Sequence, residues 1–187
     1  MPEIEQEPQG VAGRVDVALI HYPVYNKNQE IIGSAVTNLD IHDIARASRT
    51  FGVSSFYIVT PYRDQQKLVS EIVGHWQDGY GATYNRDRKE ALASVQIIDD
   101  LESLYGLIAD EGRLPLVVAT SARTHDRTIS YRDMRDRIFQ GAHVLLLFGT
   151  AWGLAHDALT RVDAMLPPIS GYENYRHLSV RSAVSIV

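Results

Sequence analysis

Short apolar runs along this chain alternate with longer segments in which apolar residues recur at the spacing of a helix. Each apolar run is bounded by polar or turn-forming residues, which is typical of strands in a buried sheet. The predicted strands span residues 15–20, 55–60, 95–98, 116–120 and 143–148. Because helical segments separate them, the pattern predicts an α/β fold, with a parallel sheet flanked by helices on both faces.

The clearest predicted helix covers residues 37–50, where Ile41 and Ile44 fall on one face. Thr37, followed three residues later by Asp40, predicts a capped start, and Gly52 suits a left-handed turn at its end. Further helices are predicted to start at Asp64, Asp87, Asp99 and Ser130. The helix after Asp64 is expected to bury a stripe of Leu68, Val69, Ile72 and Val73. Residues 76–84 are expected to form a loop.

The composition fits one globular domain. The chain has 187 residues, of which 45% are hydrophobic and 22% charged, and we expect residues 14–187 to form a single domain. Residues 1–13 are rich in Glu, Gln, Pro and Gly, which predicts a flexible tail. That tail lacks the apolar run of a signal peptide, and no stretch approaches the ~20 apolar residues that span a bilayer. A cytoplasmic protein without membrane contact is therefore expected.

The absence of cysteine excludes disulfides, thiolate metal sites and cysteine nucleophiles. The histidines lack the i, i+4 spacing of a metal site, and no dense carboxylate cluster is present, so no metal is expected. A net charge of -5 argues against sequence-blind affinity for nucleic acid, which depends on neutralising several phosphates. Arginines crowd residues 86–89 and 123–137, but interleaved acidic residues favour solvated faces of mixed charge.

Two strand ends near the C-terminus carry glycine where a pocket could form. The strand over residues 143–148 runs into Gly149 and Gly153, and the segment after Leu166 reaches Gly171. Glycine at the end of a buried parallel strand lets a ligand or another backbone come close, while ordinary turn glycines are the alternative. The first predicted strand is followed by no glycine-rich turn, and no phosphate-binding loop is present. These absences argue against a Rossmann or P-loop site.

Three motifs together resemble those of the SPOUT (α/β-knot) RNA methyltransferase superfamily. Residues 40–53 resemble the first motif of its SpoU branch, in which an arginine stands five residues before Phe-Gly-Val, as Arg46 does before Phe51. The strand end at Gly149, with the Gly-Leu that follows, resembles the second motif. The aliphatic-Pro segment and the helix start at Leu178 resemble the third. The chain is most similar to a bacterial group of relatives of the C-terminal domain of the tRNA guanine-N1 methyltransferase.

The resemblance implies a C-terminal deep trefoil knot, S-adenosylmethionine as cofactor, and a homodimer packed through the knot helices with a shared active site. It implies that the cofactor cleft is lined by Thr120, Ser121, Phe148, Gly149, Thr150, Gly153, Leu166, Ile169, Leu178, Val180 and Ala183. A valine at Gly149 is expected to block the cofactor without unfolding the chain, because its methyl groups would fill space left for the ligand.

Arg46 and His177 are the candidates for catalysis. Arg46 would bind a phosphate or help to deprotonate the acceptor, and the alternative is a surface pair with Asp43. His177 would act as a base, and the alternative is a histidine satisfied by backbone at a helix start. Trp152 would stack on a base, or else belong to the core.

The expected function is methyl transfer from S-adenosylmethionine to structured RNA, tRNA or rRNA, with a base or a ribose as target. The chain departs from the SpoU pattern at Ala151, where that branch carries an acidic residue, and at Asp40, where it carries asparagine. Two alternatives stay open: a non-catalytic module that binds RNA or cofactor, and a methyltransferase acting on proteins or small molecules.

Overall fold

A computed structural model describes residues 13–110, 112, 114–173 and 175–187 of the chain. The strands are β1 (Val15–Ile20), β2 (Val24–Tyr25), β3 (Ile31–Ile32), β4 (Ser55–Val59), β5 (Val95–Ile98), β6 (Leu116–Ala119), β7 (Val144–Gly149) and β8 (Ala164–Met165). The helices are α1 (Asn38–Thr50), α2 (Arg63–Gln77), α3 (Tyr80–Tyr84), α4 (Arg86–Leu92), α5 (Leu101–Ile108), α6 (Tyr131–Phe139) and α7 (Val180–Ile186), with a 3₁₀ helix at His156–Leu159. The tail predicted for residues 1–13 lies, apart from Gly13, outside the described residues. None of the described helices has the length and apolar character that crossing a membrane requires.

The main sheet has the strand order β5-β4-β1-β7-β6-β8, and its strand pairs are parallel. This arrangement confirms the predicted α/β fold with a parallel sheet flanked by helices. The chain winds outward from β1 through β4 to β5, then crosses to the other side, where β7 lies against β1. The carboxyl ends of β1 and β7, with Ile20 opposite Gly149, therefore flank the point where the winding reverses. Ligands usually bind at this point in such sheets.

Apolar cores cover both faces of the sheet. The central strands carry runs of buried residues, as expected for strands that are covered on both sides. On one face, Phe148 and Leu166 belong to a cluster against which Val180 and Ala183 of α7 pack. The opposite face has its own cluster, which includes Leu154 from the segment after β7. The C-terminal helix is thereby fixed close to the sheet.

The predicted start and end of α1 are confirmed. Thr37 Oγ1 accepts a hydrogen bond from the Asp40 backbone N–H at 3.2 Å and donates one to Asp40 Oδ2 at 2.6 Å. These bonds satisfy an amide that a helix start leaves free. Gly52, just beyond the helix, has φ of 74°, a conformation that favours glycine. Ile41 and Ile44 are buried, as their spacing predicts.

The expectation of a loop over residues 76–84 is wrong, because these residues contain the end of α2 and all of α3. Glycine in this region serves close packing as well as turning. A Cβ at Gly81 would meet Cε3 of Trp76 at 2.6 Å, so the small residue lets α3 pack on the indole ring. The sequence shows the glycines but not the ring they pack against.

The predicted cap of α2 is wrong, and the predicted buried stripe is confirmed except at Leu68. Val69 is buried in the core, and Ile72 and Val73 pack against it. The helix starts before Asp64, with no hydrogen bond from a capping side chain. Its inner face includes Gln66, which is buried and donates to the Thr60 carbonyl at 2.8 Å, whereas Leu68 is 38% exposed. Gln66 also donates to Asp99 Oδ1 at 2.8 Å.

The cap of the next predicted helix is displaced by one residue. Asp100, not Asp99, caps α5, and its carboxylate accepts from the Ser103 backbone N–H at 2.7 Å. Asp99 instead accepts a hydrogen bond from α2, so a tertiary contact decides between two adjacent aspartates that both satisfy the local pattern.

Both edges of β8 are hydrogen-bonded to the same segment of the chain, residues 119–129. On the β6 side, the Leu166 backbone N–H donates to the Ala119 carbonyl at 2.9 Å. On the other side, the Met165 N–H donates to the Arg127 carbonyl at 2.8 Å, and the Ile129 N–H donates to the Met165 carbonyl at 3.0 Å. The connection between β6 and α6 therefore crosses from one edge of β8 to the other.

Candidate functional site

Three neighbouring strands of the sheet, β7, β6 and β8, end at the same edge. The Thr120 backbone N–H donates to the Leu147 carbonyl at 3.0 Å, and Leu166 is tied to the end of β6 as described above. Thr120, Gly149 and Leu166, which are predicted on three separate segments, are thus brought to one edge. This edge presents main-chain N–H and C=O groups, the kind of surface that can hold an adenosine-like ligand.

A tight turn over residues 149–154 forms the centre of this edge. The Gly153 N–H donates to the Thr150 carbonyl at 3.0 Å, and the φ angles are 50° at Ala151 and 103° at Gly153. A Cβ at Gly149 would lie 2.8 Å from the Leu154 nitrogen. The expectation that valine at Gly149 would leave the fold intact is therefore wrong, because the side chain would meet the chain's own backbone.

The segment between β1 and α1 braces this turn. Tyr25 N–H donates to the Gly153 carbonyl at 2.9 Å, and the Trp152 N–H donates to the Tyr25 carbonyl at 3.0 Å. The Ala155 N–H donates to the Pro23 carbonyl at 3.1 Å. We call residues 22–34, which include β2 and β3, the brace. Its sequence has the composition of a polar loop. Strands of two residues such as Val24–Tyr25 are too short to show a periodic pattern, so the sequence does not predict the brace.

A chain of hydrogen-bonded side chains connects the brace to the turn. His21 Nδ1 lies 2.9 Å from Ser34 Oγ, which lies 2.5 Å from Thr150 Oγ1, and Thr150 Oγ1 donates to the Ile20 carbonyl at 2.9 Å. Burial lowers the pKa of His21 to about 4, although Asp40 and the Ser34 backbone act in the opposite direction. His21 is therefore neutral at pH 7. Sequence analysis found no role for His21 or Ser34.

The remaining predicted cofactor residues differ in how they can meet a ligand. Phe148 and Leu166 are each 1% exposed, so only their main-chain groups can do so without rearrangement. Leu178, just before α7, is 45% exposed. The others, Ser121, Ile169, Val180 and Ala183, are partly exposed. The residues present therefore fit a cofactor held mainly by backbone, with an apolar contact from the C-terminal segment.

Arg181 joins the first and third motifs. Its Nη1 lies 3.2 Å from Asp40 Oδ1 and its Nε lies 3.5 Å from Asp43 Oδ2. Asp43 is thus engaged by α7, and among the described ion pairs it has no contact with Arg46. Arg46 is exposed and lines a groove between α1 and α7 together with Phe51. No residue of the strand-end edge lines this groove, and a second depression lies at the amino end of β6.

His177 and Trp152 are both accessible. The His177 ring is exposed and meets Tyr175 edge-on, with ring centres 5.6 Å apart. No hydrogen bond to that ring is present among the described residues. Trp152 is 56% exposed on the turn, so the expectation that it belongs to the core is wrong. Within the described part of the chain, no group of three or more metal-ligating side chains comes together.

Comparison with known proteins gives consistent similarities. Residues 14–187 match the sequence model of a family described as SAM-dependent RNA methyltransferases. A relative from Oleidesulfovibrio alaskensis, named tRNA (guanine-N(1)-)-methyltransferase, is 46% identical over 171 residues, covering 91% of this chain and 40% of the relative. A protein of the same name from Nitratidesulfovibrio vulgaris is 42% identical over 173 residues, again covering 91% of this chain and 40% of the relative. The chain thus spans well under half the length of these two relatives.

The fold is similar to that of solved methyltransferase structures. One is an AdoMet-bound rRNA methyltransferase from Sinorhizobium meliloti, which aligns with a TM-score of 0.56 and 18% identity, covering 97% of this chain and 56% of that one. At this level of identity the similarity concerns the fold.

Proposed function

Since the chain belongs to the family of SAM-dependent RNA methyltransferases, we propose that it binds S-adenosylmethionine at the carboxyl ends of β6, β7 and β8 and transfers its methyl group to tRNA. The observation that carries this proposal is the shared strand edge formed by Thr120, Gly149 and Leu166. When bound, the cofactor supplies a methyl group on a sulfonium leaving group. The protein must then align the acceptor with that methyl group and accept a proton.

The choice of tRNA rests on the names of the two relatives. Because each of them is matched over 40% of its length, their guanine-N1 activity is not assigned to this part of the chain. A tRNA substrate also implies that the protein acts in the cytoplasm. Trp152, exposed on the turn, is placed to stack on a nucleobase.

Exchanging Leu178 for aspartate tests the cofactor site. We expect Leu178→Asp to weaken binding of S-adenosylmethionine about tenfold or more, because an apolar contact with the ligand is replaced by a charge. Isothermal titration calorimetry measures the affinity. The matched control is Leu107→Asp, since Leu107 is 55% exposed and belongs to α5, which packs on the opposite face of the sheet from α7. Equal affinities in the two variants would contradict the proposed position of the cofactor.

We also propose a homodimer formed through α1 and α7. The faces of these helices beside the groove expose apolar side chains, including Phe51 at 72% and Ile186 at 58%. Large exposed apolar side chains that cluster on one face are typical of interaction surfaces. A partner packed on this face would bring its Arg46 close to the C-terminal segment of the first subunit, so the proposed active site is shared.

Phe51→Glu is expected to convert the protein from a dimer to a monomer, because it places charges at the centre of the proposed interface. Sedimentation equilibrium measures the mass. Phe139→Glu on α6 is the matched control, since Phe139 is also exposed but lies outside the groove. A wild-type monomer, or a dimer that survives Phe51→Glu, would refute this interface.

We further propose that the C-terminal segment completes a trefoil knot. The support is that β8 is bonded on one edge to β6 and on the other to residues 127–129. We infer that the chain leaving β8 passes under the connection between those two segments. Tracing residues 119–130 and 164–180 in an experimental electron-density map tests the threading, and a path outside that connection would refute it.

A further inference from the structure

The hydrogen-bond distances around Thr150 favour one direction of donation along His21, Ser34 and Thr150. The Ile20 carbonyl can only accept, so Thr150 gives its single hydroxyl proton to it. The Ser34 hydroxyl has two acceptors within reach, Thr150 Oγ1 at 2.5 Å and the His21 carbonyl at 3.4 Å, and the much shorter contact assigns its proton to Thr150. With both hydroxyl protons used, the Ser34 oxygen accepts from His21, and His21 carries its proton on Nδ1.

This assignment leaves His21 Nε2 as a bare acceptor. Nε2 is buried and has no hydrogen-bond partner in the described part of the structure. A buried polar atom without a hydrogen-bond partner lowers the stability of the folded state by about 1–3 kcal/mol. An unsatisfied nitrogen of this kind calls for an explanation, and a specific hydrogen bond made by the other ring nitrogen provides one. In His21 this bond is the donation from Nδ1 to Ser34, close to the point where the winding of the sheet reverses.

We propose that His21 is a positioning residue for methyl transfer, acting through Ser34 to fix Thr150 and the turn over residues 149–154 that faces the cofactor. This inference rests on the proposed function, in which that turn binds S-adenosylmethionine. His21 itself is fully buried and does not meet the cofactor.

The surroundings of the ring explain why the arrangement is stable at neutral pH. Burial keeps the imidazole neutral, with a pKa of about 4. Asp40 of α1 is the charged group that acts on it, in the raising direction, and Arg181 of α7 pairs with that carboxylate. A neutral ring keeps a single proton, so the direction of donation to Ser34 is retained between pH 6 and pH 8, a range that lies above this pKa.

The turn needs such an anchor because its backbone is unusual. Ala151 has φ of 50°, which costs a residue other than glycine roughly 1 kcal/mol or more. The Thr150 hydroxyl is bonded to both β1 and the brace, immediately before Ala151. Without these bonds we expect the turn to sample other conformations. The free energy needed to order it would then weaken binding of the cofactor.

Two substitutions of His21 distinguish the contributions of its two ring nitrogens. The amide nitrogen of asparagine can occupy the position of Nδ1, and that of glutamine reaches the position of Nε2. We expect His21→Asn to bind S-adenosylmethionine with affinity within about threefold of wild type. His21→Gln should bind about tenfold more weakly, the effect of one lost hydrogen bond. Calorimetry gives the affinities, and thermal unfolding shows whether both variants fold. A purely structural role would lower affinity equally in both variants and would overturn the inference.

Ser34 provides a second test outside the fully buried core. Ser34→Ala removes the link while His21 stays, and Ser34→Thr keeps a hydroxyl at the same position. The inference predicts that the alanine variant binds the cofactor about tenfold more weakly, while the threonine variant binds like wild type. Equal affinities in these variants, with a wild type that binds, would refute the positioning role alone. A wild type that does not bind would refute the proposed function and this inference with it.

Discussion

Replacing Arg46 by alanine is expected to slow methyl transfer about 100-fold or more, while the affinity for S-adenosylmethionine stays within about twofold of wild type. Arg46 is exposed beside the α1–α7 groove, and its expected neighbour Asp43 is engaged by Arg181. Its guanidinium is therefore available for a phosphate or an anionic acceptor. In the proposed dimer the partner subunit would partly shield this charge from water, so it would stabilise the reacting state more than it would in bulk solvent. Initial rates with labelled cofactor, together with calorimetry, measure the two quantities.

Arg49→Ala is the matched control, because Arg49 lies on the same helix but pairs with Glu90 on the surface. Its rate should stay near that of wild type. If the site is shared, mixing Arg46→Ala with Leu178→Asp chains should restore one fully working site in each heterodimer, at a cofactor concentration at which each homodimer is strongly impaired. An Arg46→Ala rate within about threefold of wild type would contradict the catalytic assignment, and failure of the mixture would contradict sharing.

Acidification from pH 7 to pH 4 is expected to remove about 3 kcal/mol of folding stability through His21 alone. The folded pKa of His21 is about 4, against an unperturbed value of 6.5, chiefly because burial disfavours the charged ring. Below pH 6.5 the unfolded chain takes up a proton that the folded chain does not. The free energy of unfolding therefore falls between pH 6.5 and pH 4, and the full stability is present only above that window.

Urea unfolding at pH 7.0, 5.5 and 4.5 measures this effect. His42 contributes in the same direction, since burial and the nearby Arg88 lower its pKa. The part that belongs to His21 is the difference in pH dependence between wild type and His21→Asn, which cannot be protonated in this range. If the two proteins lose stability in parallel on acidification, His21 is not held neutral by burial.

The sequence predicted those parts of the fold that depend on local pattern. Five of the six strands of the main sheet were found because buried parallel strands are rich in apolar residues, whereas β8, with only two residues, was not predicted. Thr37 and Gly52 correctly marked the ends of α1, because a capping side chain and a positive φ are properties of single residues. The helical spacing of apolar residues in α1 correctly placed Ile41 and Ile44 in the core, because this spacing is also a local property of the sequence.

The parts that were missed depend on contacts between distant residues. Ser34 and Thr150 are 116 positions apart, and no local pattern reveals that their hydroxyls meet. The role of Gly149 was assigned to the ligand, although the Leu154 nitrogen already occupies the space in front of it. A histidine directly after a buried strand was the one available signal for His21. Interpreting it required the fold, because only the fold shows that β7 lies beside β1.

The most direct test of methyl transfer to tRNA uses the chain alone, since it corresponds to 40% of the length of its two named relatives. Purified protein is incubated with S-adenosylmethionine carrying a deuterated methyl group and with tRNA from a strain that lacks the gene. The tRNA is then digested and its nucleosides are analysed by mass spectrometry. The account predicts one deuterated methyl nucleoside that is strongly reduced with Arg46→Ala. Deuterium absent from every nucleoside, with a protein shown to be folded and to bind the cofactor, would contradict it.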